Sequence, residues 1–547
     1  MKRAIATIVA LTGLVWMTGS ALGDPWDFVG TNAVASFPVN GGGYPVPPGR
    51  TKPDPGTCRL GSYESNRSES WIAVKPGTED LVGNSKFFFE TFSTFYMFHL
   101  GSYRILDGVP VDNNQVQGYD CISTGTQEMP PSWTNNTDPN VDFDTKGRAY
   151  QTTLPFNAFW EGGLHPNGEI DVSYSDDMGQ HWVQGNGGRP LEPPNNQLSL
   201  AFGHVEDKQW IAVNHIPGNR FQDHVYAAWA VFNGSAIKVR MAVSRDRGQT
   251  FAKAVTIASP SQVGSGVTYV YPAIDAIGDV YVALVSFPPS GKPSHIYVAR
   301  STDDGRSFGP WVSAATPGIL PAAGLPNTRF RDGITESFAA SPTHPGHVYV
   351  AYEDWDGMQM DVKLTQSTDG GRTWSEPETV NDNVDAPGSP TDQFQPTVAA
   401  GPDGAVAIAF YDRRRACPDD PSILPPDVGR TNFCIDTTLQ AYKDTGSGAD
   451  AVGGNVRMSE FTWDPEQPGQ HVDGISQYPC AGHRDPCPDG RGFIGDYFGL
   501  AISGENVYGL FVSTHYPSTV AADEGGPVYY QQQVLATVPR STFGGGY

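Results

Sequence analysis

The chain has 547 residues, with Lys+Arg 35 against Asp+Glu 59 and a formal net charge of -24. Glycine (63) and proline (46) are abundant and charged residues make up only 17%, which excludes a mainly helical fold and predicts an all-β chain with many turns. The acidic balance offers no basic footprint for nucleic acid, while 38% hydrophobic residues suffice for a large core.

Residues 1–23 read as a secretory signal peptide. Lys2 and Arg3 form a positive start, Ala4 to Met17 is largely apolar, and Ala21-Leu22-Gly23 supplies small residues for cleavage. The apolar run is too short for a membrane span, and no cysteine follows it to take a lipid anchor. A secreted, extracellular monomer is therefore expected. Residues 24–64, with a Pro/Gly stretch from Pro38 to Gly56, read as an extended lead-in, 65–540 as the folded domain and 541–547 as a tail. Among the six cysteines, proximity pairs Cys417 with Cys434 and Cys480 with Cys487, which leaves Cys58 for Cys121. Cys480, His483 and Cys487 also have zinc-like spacing, but no fourth ligand stands nearby, so oxidation is preferred and no metal is assigned. Asp142 and Asp144 before Gly147 make calcium a candidate structural ion, although the same residues suit a strand turn.

Four segments repeat the pattern Ser-x-Asp-x-Gly-x-x-aromatic: Ser175 to Trp182, Ser244 to Phe251, Ser301 to Phe308 and Ser367 to Trp374. Glycine accepts the positive φ of a tight turn, and the aspartates Asp177, Asp246, Asp303 and Asp369 can accept backbone N–H groups around it. Alternating apolar residues lead into each turn, as in Ile296-Tyr297-Val298-Ala299-Arg300, which predicts a strand. These aspartates are therefore expected to be structural. A second element, strand–turn–strand, starts near Trp71, Asn140, Trp210, Pro272, Ile334, Pro396 and Gly495. Units of four short strands at this spacing predict a β-propeller of seven blades, or six if the first unit is a cap.

If strands run outward from the axis, the Asp-box turns join third to fourth strands and occupy one face. The opposite face collects residues that precede first strands or follow second strands. There the sequence places Glu206-Asp207, Tyr269, Tyr271, Arg331-Asp332, Asp392-Gln393, Gly495-Asp496-Tyr497, Trp160-Glu161, Glu353-Asp354-Trp355-Asp356 and Tyr411-Asp412-Arg413-Arg414-Arg415. Arginine binds carboxylates bidentately and stays charged. Arg413 and Arg414 have a plainer reading, tying neighbouring blades through Asp392 and Asp412. Trp160 and Trp355 suit stacking on sugar rings or simple packing.

The boxes resemble the Asp-box (BNR) repeats of the sialidase superfamily over roughly residues 65–540. Tyr103-Arg104-Ile105-Leu106 is similar to the Phe/Tyr-Arg-Ile-Pro motif of sialidases, without its proline. The resemblance implies a secreted, exo-α-sialidase-like glycoside hydrolase for sialic acid or another acidic sugar, with no cofactor required. It implies Arg331, Arg413 and Arg414 on the sugar carboxylate, Tyr497 as nucleophile with Glu353 or Asp332 as its partner, and Asp207 or Asp356 as acid. Asp392, Trp160 and Trp355 complete the expected substrate contacts. The alternative is a non-catalytic secreted propeller that binds glycan or protein on the same rim.

Overall fold

In the computed structural model the described residues are 26–36, 67–88, 98–115, 135–157, 167–193, 205–233, 236–264, 266–287, 293–321, 324–328, 330–333, 336–467, 471–472, 475–476, 493–521, 527–529, 531–544 and 546–547. The signal-peptide reading, Trp160, Cys58, Cys121, Cys480, His483 and Cys487 lie outside them. The described chain folds into seven antiparallel blades around one axis, the architecture expected of an Asp-box propeller. Blade 1 is built from Arg67–Val74, Leu81–Phe88, Phe98–Leu106 and Val109–Gln115, counted outward from the axis. Blade 3 begins at Val205–Val213, blade 4 at Val267–Ile274, blade 5 at Glu336–Ala340 and blade 6 at Gln393–Ala400. In blade 2 the first strand is split into Asn135–Thr137 and Asp142–Phe143, both paired with Ala149–Asn157.

Blade 7 closes the ring with two ends of the chain. Its inner strands are Gly499–Ile502, Asn506–Ser513 and Gln532–Pro539, and its outermost strand is Thr31–Val34. The lead-in reading is thus corrected at residues 31–34, whose pairing with Gln532–Pro539 covers what would be an open sheet edge. The C-terminal residues are likewise part of the fold, since the Tyr547 hydroxyl donates to the Val406 carbonyl at 3.0 Å. Among the described residues no helix is long and apolar enough to cross a membrane.

Each Asp box joins the third and fourth strands of its blade, with the same wiring four times. In blade 4, the Ser301 hydroxyl accepts the Gly305 N–H and donates to Asp303. Asp303 in turn accepts the Ser307 N–H at 2.9 Å and the Ser307 hydroxyl at 2.6 Å. Thr373 repeats this on Asp369, Thr250 on Asp246, and His181 on Asp177. Burial alone would raise these carboxyls, but the donated hydrogen bonds hold all four below the ordinary range, Asp369 at about 2. They are turn caps, as expected.

The Cys417–Cys434 pairing is present, with Cα atoms 5.3 Å apart, and it pins the loop after the second strand of blade 6.

Replacing Asp303 with alanine removes an acceptor for three donors at one turn. Unfolding by guanidinium chloride should show a loss of about 1 kcal/mol, the usual size for a lost capping side chain, with the fold otherwise kept.

Candidate functional site

The site lies at the end of the axial channel opposite the Asp boxes, and a repeated backbone irregularity makes it. Blades 1, 2, 3, 4 and 6 each carry one extra residue in the innermost strand relative to its partner. The bulged residues are Glu69 (φ 48°), Asp138 (φ 55°), Lys208 (φ 50°), Tyr269 (φ 52°) and Gln395 (φ 47°). Positive φ in such residues is strained, and bulges of this kind re-aim side chains beside functional sites. Blade 7 has Gly495 at this level (φ 110°), where an added Cβ would stand 2.7 Å from the Glu69 nitrogen.

Two positions after the bulge comes a large ring in four blades: Trp71, Trp210, Tyr271 and Tyr497. Trp210 meets Trp71, Tyr271 and Tyr497 edge-on, with ring centroids 4.6, 4.7 and 5.0 Å apart. These rings close the axis as a floor. Beyond them, toward the Asp-box face, lies an open cavity of about 220 Å³ lined by Val74, Val213, Ile274, Ala340 and Ile502.

Above the floor the bulged side chains and their neighbours form one ionic chain. Lys86 pairs with Glu69 and donates to the Thr137 hydroxyl at 3.2 Å, which donates to Asp138 at 2.9 Å. Lys208 lies 3.8 Å from Asp138 and donates to Asp496 at 2.9 Å. Arg331 grips the same Asp496 with two bonds of 3.0 and 2.7 Å. The Lys208 ammonium also sits 4.9 Å above the Tyr269 ring. Phe493 carries Lys86 and Arg331 on its ring, each 4.5 Å from the centroid.

The charges split the carboxyls into two kinds. Burial would raise Asp496, but Arg331 and Lys208 overcome it and hold that carboxyl far below its usual range. Asp207 is pushed up to about 7, first by burial and then by Asp138, to which it is hydrogen-bonded. Asp332 is pushed up to about 8 by burial, with the negative Asp496 nearby and hydrogen bonds from the Gln395 amide and the Gly333 backbone opposing it. Glu336 is raised as well, by burial.

Several expected roles are not met by this geometry. Tyr497 is a floor residue: its ring is packed, its hydroxyl donates to the Pro139 carbonyl at 3.2 Å, and burial raises its pKa, the reverse of what a phenolate nucleophile needs. Glu353 is buried and accepts the Gln395 N–H, which fixes the bulge of blade 6. The three arginines are not assembled on one ligand position. Arg413 is buried, bonding Asp392 at 3.1 Å and the carbonyls of Pro326, Asn327, Asn432 and Phe433. Arg414 bonds Asp412, Asp382 and Asn455. Both arginines are ties, and Asp392 serves Arg413 along with Asn432 and the Met360 N–H. Asp356 is exposed and caps a hairpin tip through the Met358 and Gln359 N–H groups. Trp355 is partly buried, its N–H on the Gly318 carbonyl. Arg104 pairs with Asp112 on the outer strands of blade 1. Asp142 accepts the Val213 and Phe143 N–H groups, while Asp144 takes Tyr150, Arg247 and two backbone donors.

Arg331, Asp207, Asp332 and Asp496 do converge. Glu69, Lys86, Asp138 and Lys208 join them without having been expected. The signal for Glu69 and Lys208 was available in Glu69-Ser70-Trp71 and Lys208-Gln209-Trp210, where a charged residue stands two before a ring in a first strand.

No protein-family model matches the chain, and no curated protein is detectably similar to it in sequence. Solved structures do align with it. A Hadza microbial sialidase shares 14% identity at a TM-score of 0.41, over 63% of this chain and 63% of its own. A Penicillium chrysogenum alpha-L-arabinanase complexed with arabinobiose shares 12% at 0.40, over 73% of this chain and 92% of its own. The NanB sialidase from Streptococcus pneumoniae shares 10% at 0.38, over 88% of this chain and 69% of its own. These likenesses are of chain path, and they say nothing of the residues in the mouth.

Asp496 is ionised between two cations, so Asp496→Asn leaves Lys208 with Asp138, 3.8 Å away, and Arg331 turned to solvent. Denaturant unfolding at pH 7 should show a loss of about 1.5–3 kcal/mol, the usual size for hydrogen bonds to charged groups. Because the folded pKa is depressed, this contribution is full above the ordinary carboxylate range near pH 4 and fades as pH falls below it. The gap between wild type and variant should therefore narrow in acid.

Proposed function

We propose that the protein is a secreted carbohydrate-active enzyme, a glycosidase working in the channel mouth with Asp207 as its general acid. One observation carries this: the Asp207 carboxyl, partly exposed at the channel mouth and hydrogen-bonded to Asp138, is pushed up to about 7. A general acid is most useful when its pKa lies near the working pH. Asp207 and Asp138 share a proton as a pair. Delivering it to the glycosidic oxygen as the C–O bond breaks leaves two carboxylates beside the developing positive charge of the sugar; water then forms the new C–O bond at the anomeric carbon and returns a proton to the pair. Asp496 and its two cations hold the surrounding polar groups in place.

An acidic sugar is the substrate class this reading favours. Arg331, its side chain 40% exposed, is the mouth cation most open to solvent, and Lys208 lies on the same carboxylate. A sugar carboxylate would take over part of the Asp496 contact. An extracellular setting belongs to this reading and is supported by the disulfide, a bond that persists in oxidising compartments.

The experiment is product release from a panel of sialosides and acidic polysaccharides. Asp207→Asn should lower kcat by about 10²–10⁴-fold with folding intact. In the wild type, kcat/KM should fall as pH rises through about 7, because the acid loses its proton. Tyr497→Phe should retain activity, since its hydroxyl serves the Pro139 carbonyl. Full activity in Asp207→Asn would discard the assignment.

A second reading, a glycan-binding propeller without chemistry, is favoured by the pairing of Lys86, Lys208 and Arg331 with carboxylates already in place. Binding without product from any substrate, weakened by Arg331→Ala, would select it.

A further inference from the structure

We infer that His344, His347 and Asp444 form a site for one divalent first-row transition ion, zinc being the probe, which ties blade 5 to blade 6 on the Asp-box face. The inference is independent of the channel mouth. The ligand atoms of these three residues all lie within 4.8 Å of one another. His347 Nδ1 is 2.6 Å and His344 Nδ1 3.8 Å from the same Asp444 oxygen, and the two imidazole rings stack at 5.2 Å. Zinc takes nitrogen and oxygen ligands at about 2.1 Å, which puts tetrahedral ligand atoms roughly 3.4 Å apart. His347 must therefore draw back slightly and His344 close in, small side-chain movements. Three protein ligands leave the fourth position for water, on the side where His344 is 29% exposed.

The repeat supplies the comparison that makes these residues notable. The equivalent junction between blades 3 and 4 uses the same parts: His224 Nδ1 and the Tyr226 hydroxyl both meet Asp304 at 2.8 Å, as His347 and Tyr349 meet Asp444. There the carboxylate is neutralised by Arg245, 2.6 Å away, the residue after the box serine. Between blades 5 and 6 that position is Thr368, and among the described residues the ion-pair partners of Asp444 are the two histidines alone. Three residues before the junction histidine, blade 3 has Phe221 tilted against His224 at 5.6 Å, whereas blade 5 has His344. The permanent cation has gone and a second metal-ligating ring has appeared in the same place. A divalent ion restores the missing charge and uses the added nitrogen.

The test is calorimetric titration of the chelator-stripped, dialysed full chain with zinc chloride. Wild type should take up one ion saturably, and its Tm should rise with zinc but not with calcium at the same concentration. His344→Phe recreates the blade 3 arrangement, so it should fold with an unchanged zinc-free Tm and bind at least tenfold more weakly. No saturable uptake by wild type overturns the site. Equal uptake and an equal Tm rise in His344→Phe also overturn it, by placing the zinc elsewhere.

Discussion

The innermost strand of a propeller blade must pair along its length and also turn side chains toward a narrow axis. The one-residue bulge meets both demands, and the channel mouth depends on it. Side chains at the bulge, Glu69, Asp138, Lys208, Tyr269 and Gln395, gather above the axis, while the rings two residues later close it. Five strained residues at one level cost on the order of 1 kcal/mol or more each. Neighbouring blades hold them there. Glu353 accepts the Gln395 N–H, the Gln395 amide donates to the Gly495 carbonyl at 2.8 Å, and Gly495 admits the Glu69 backbone to a distance no Cβ would allow.

Electrostatics then divides the work among like groups. A chain of net charge -24 concentrates Lys86, Lys208 and Arg331 around this mouth. Asp496, held by two of them, stays ionised despite burial. Asp207 and Asp332, facing carboxylates more than cations, are pushed up to about 7 and about 8. Pairs of acids driven apart in this way are what acid–base chemistry uses. The floor excludes Tyr497 from that chemistry for a simple reason. It occupies the register of Trp71, Trp210 and Tyr271, and a residue in that register packs.

The opposite face shows the same repeat used for cohesion. Each box completes its own turn, and residues beside the boxes reach the next blade, as Arg245 reaches Asp304 and Arg247 reaches Asp144. Departures from the repeat are then informative, because the other blades serve as controls within one chain. Thr368 and His344 are such departures.

The sequence by itself determined the all-β class and the Asp-box turns, narrowed the blade count to seven or six, and favoured the Cys417–Cys434 pairing. Each of these rests on residues close together in the chain: a box is complete within eight positions, and Cys417 and Cys434 are 17 residues apart. Asp207, Asp332 and Arg331 were legible as residues preceding first strands, although not the company they keep. Only the tertiary structure decided that Arg413 and Arg414 are ties, that Tyr497 is floor, and that Thr31–Val34 completes blade 7. It alone joined Lys208 to Asp496, 288 residues away. Ring closure brings such residues together, and the bulge that aims them adds one residue without changing the apolar pattern from which a strand is read.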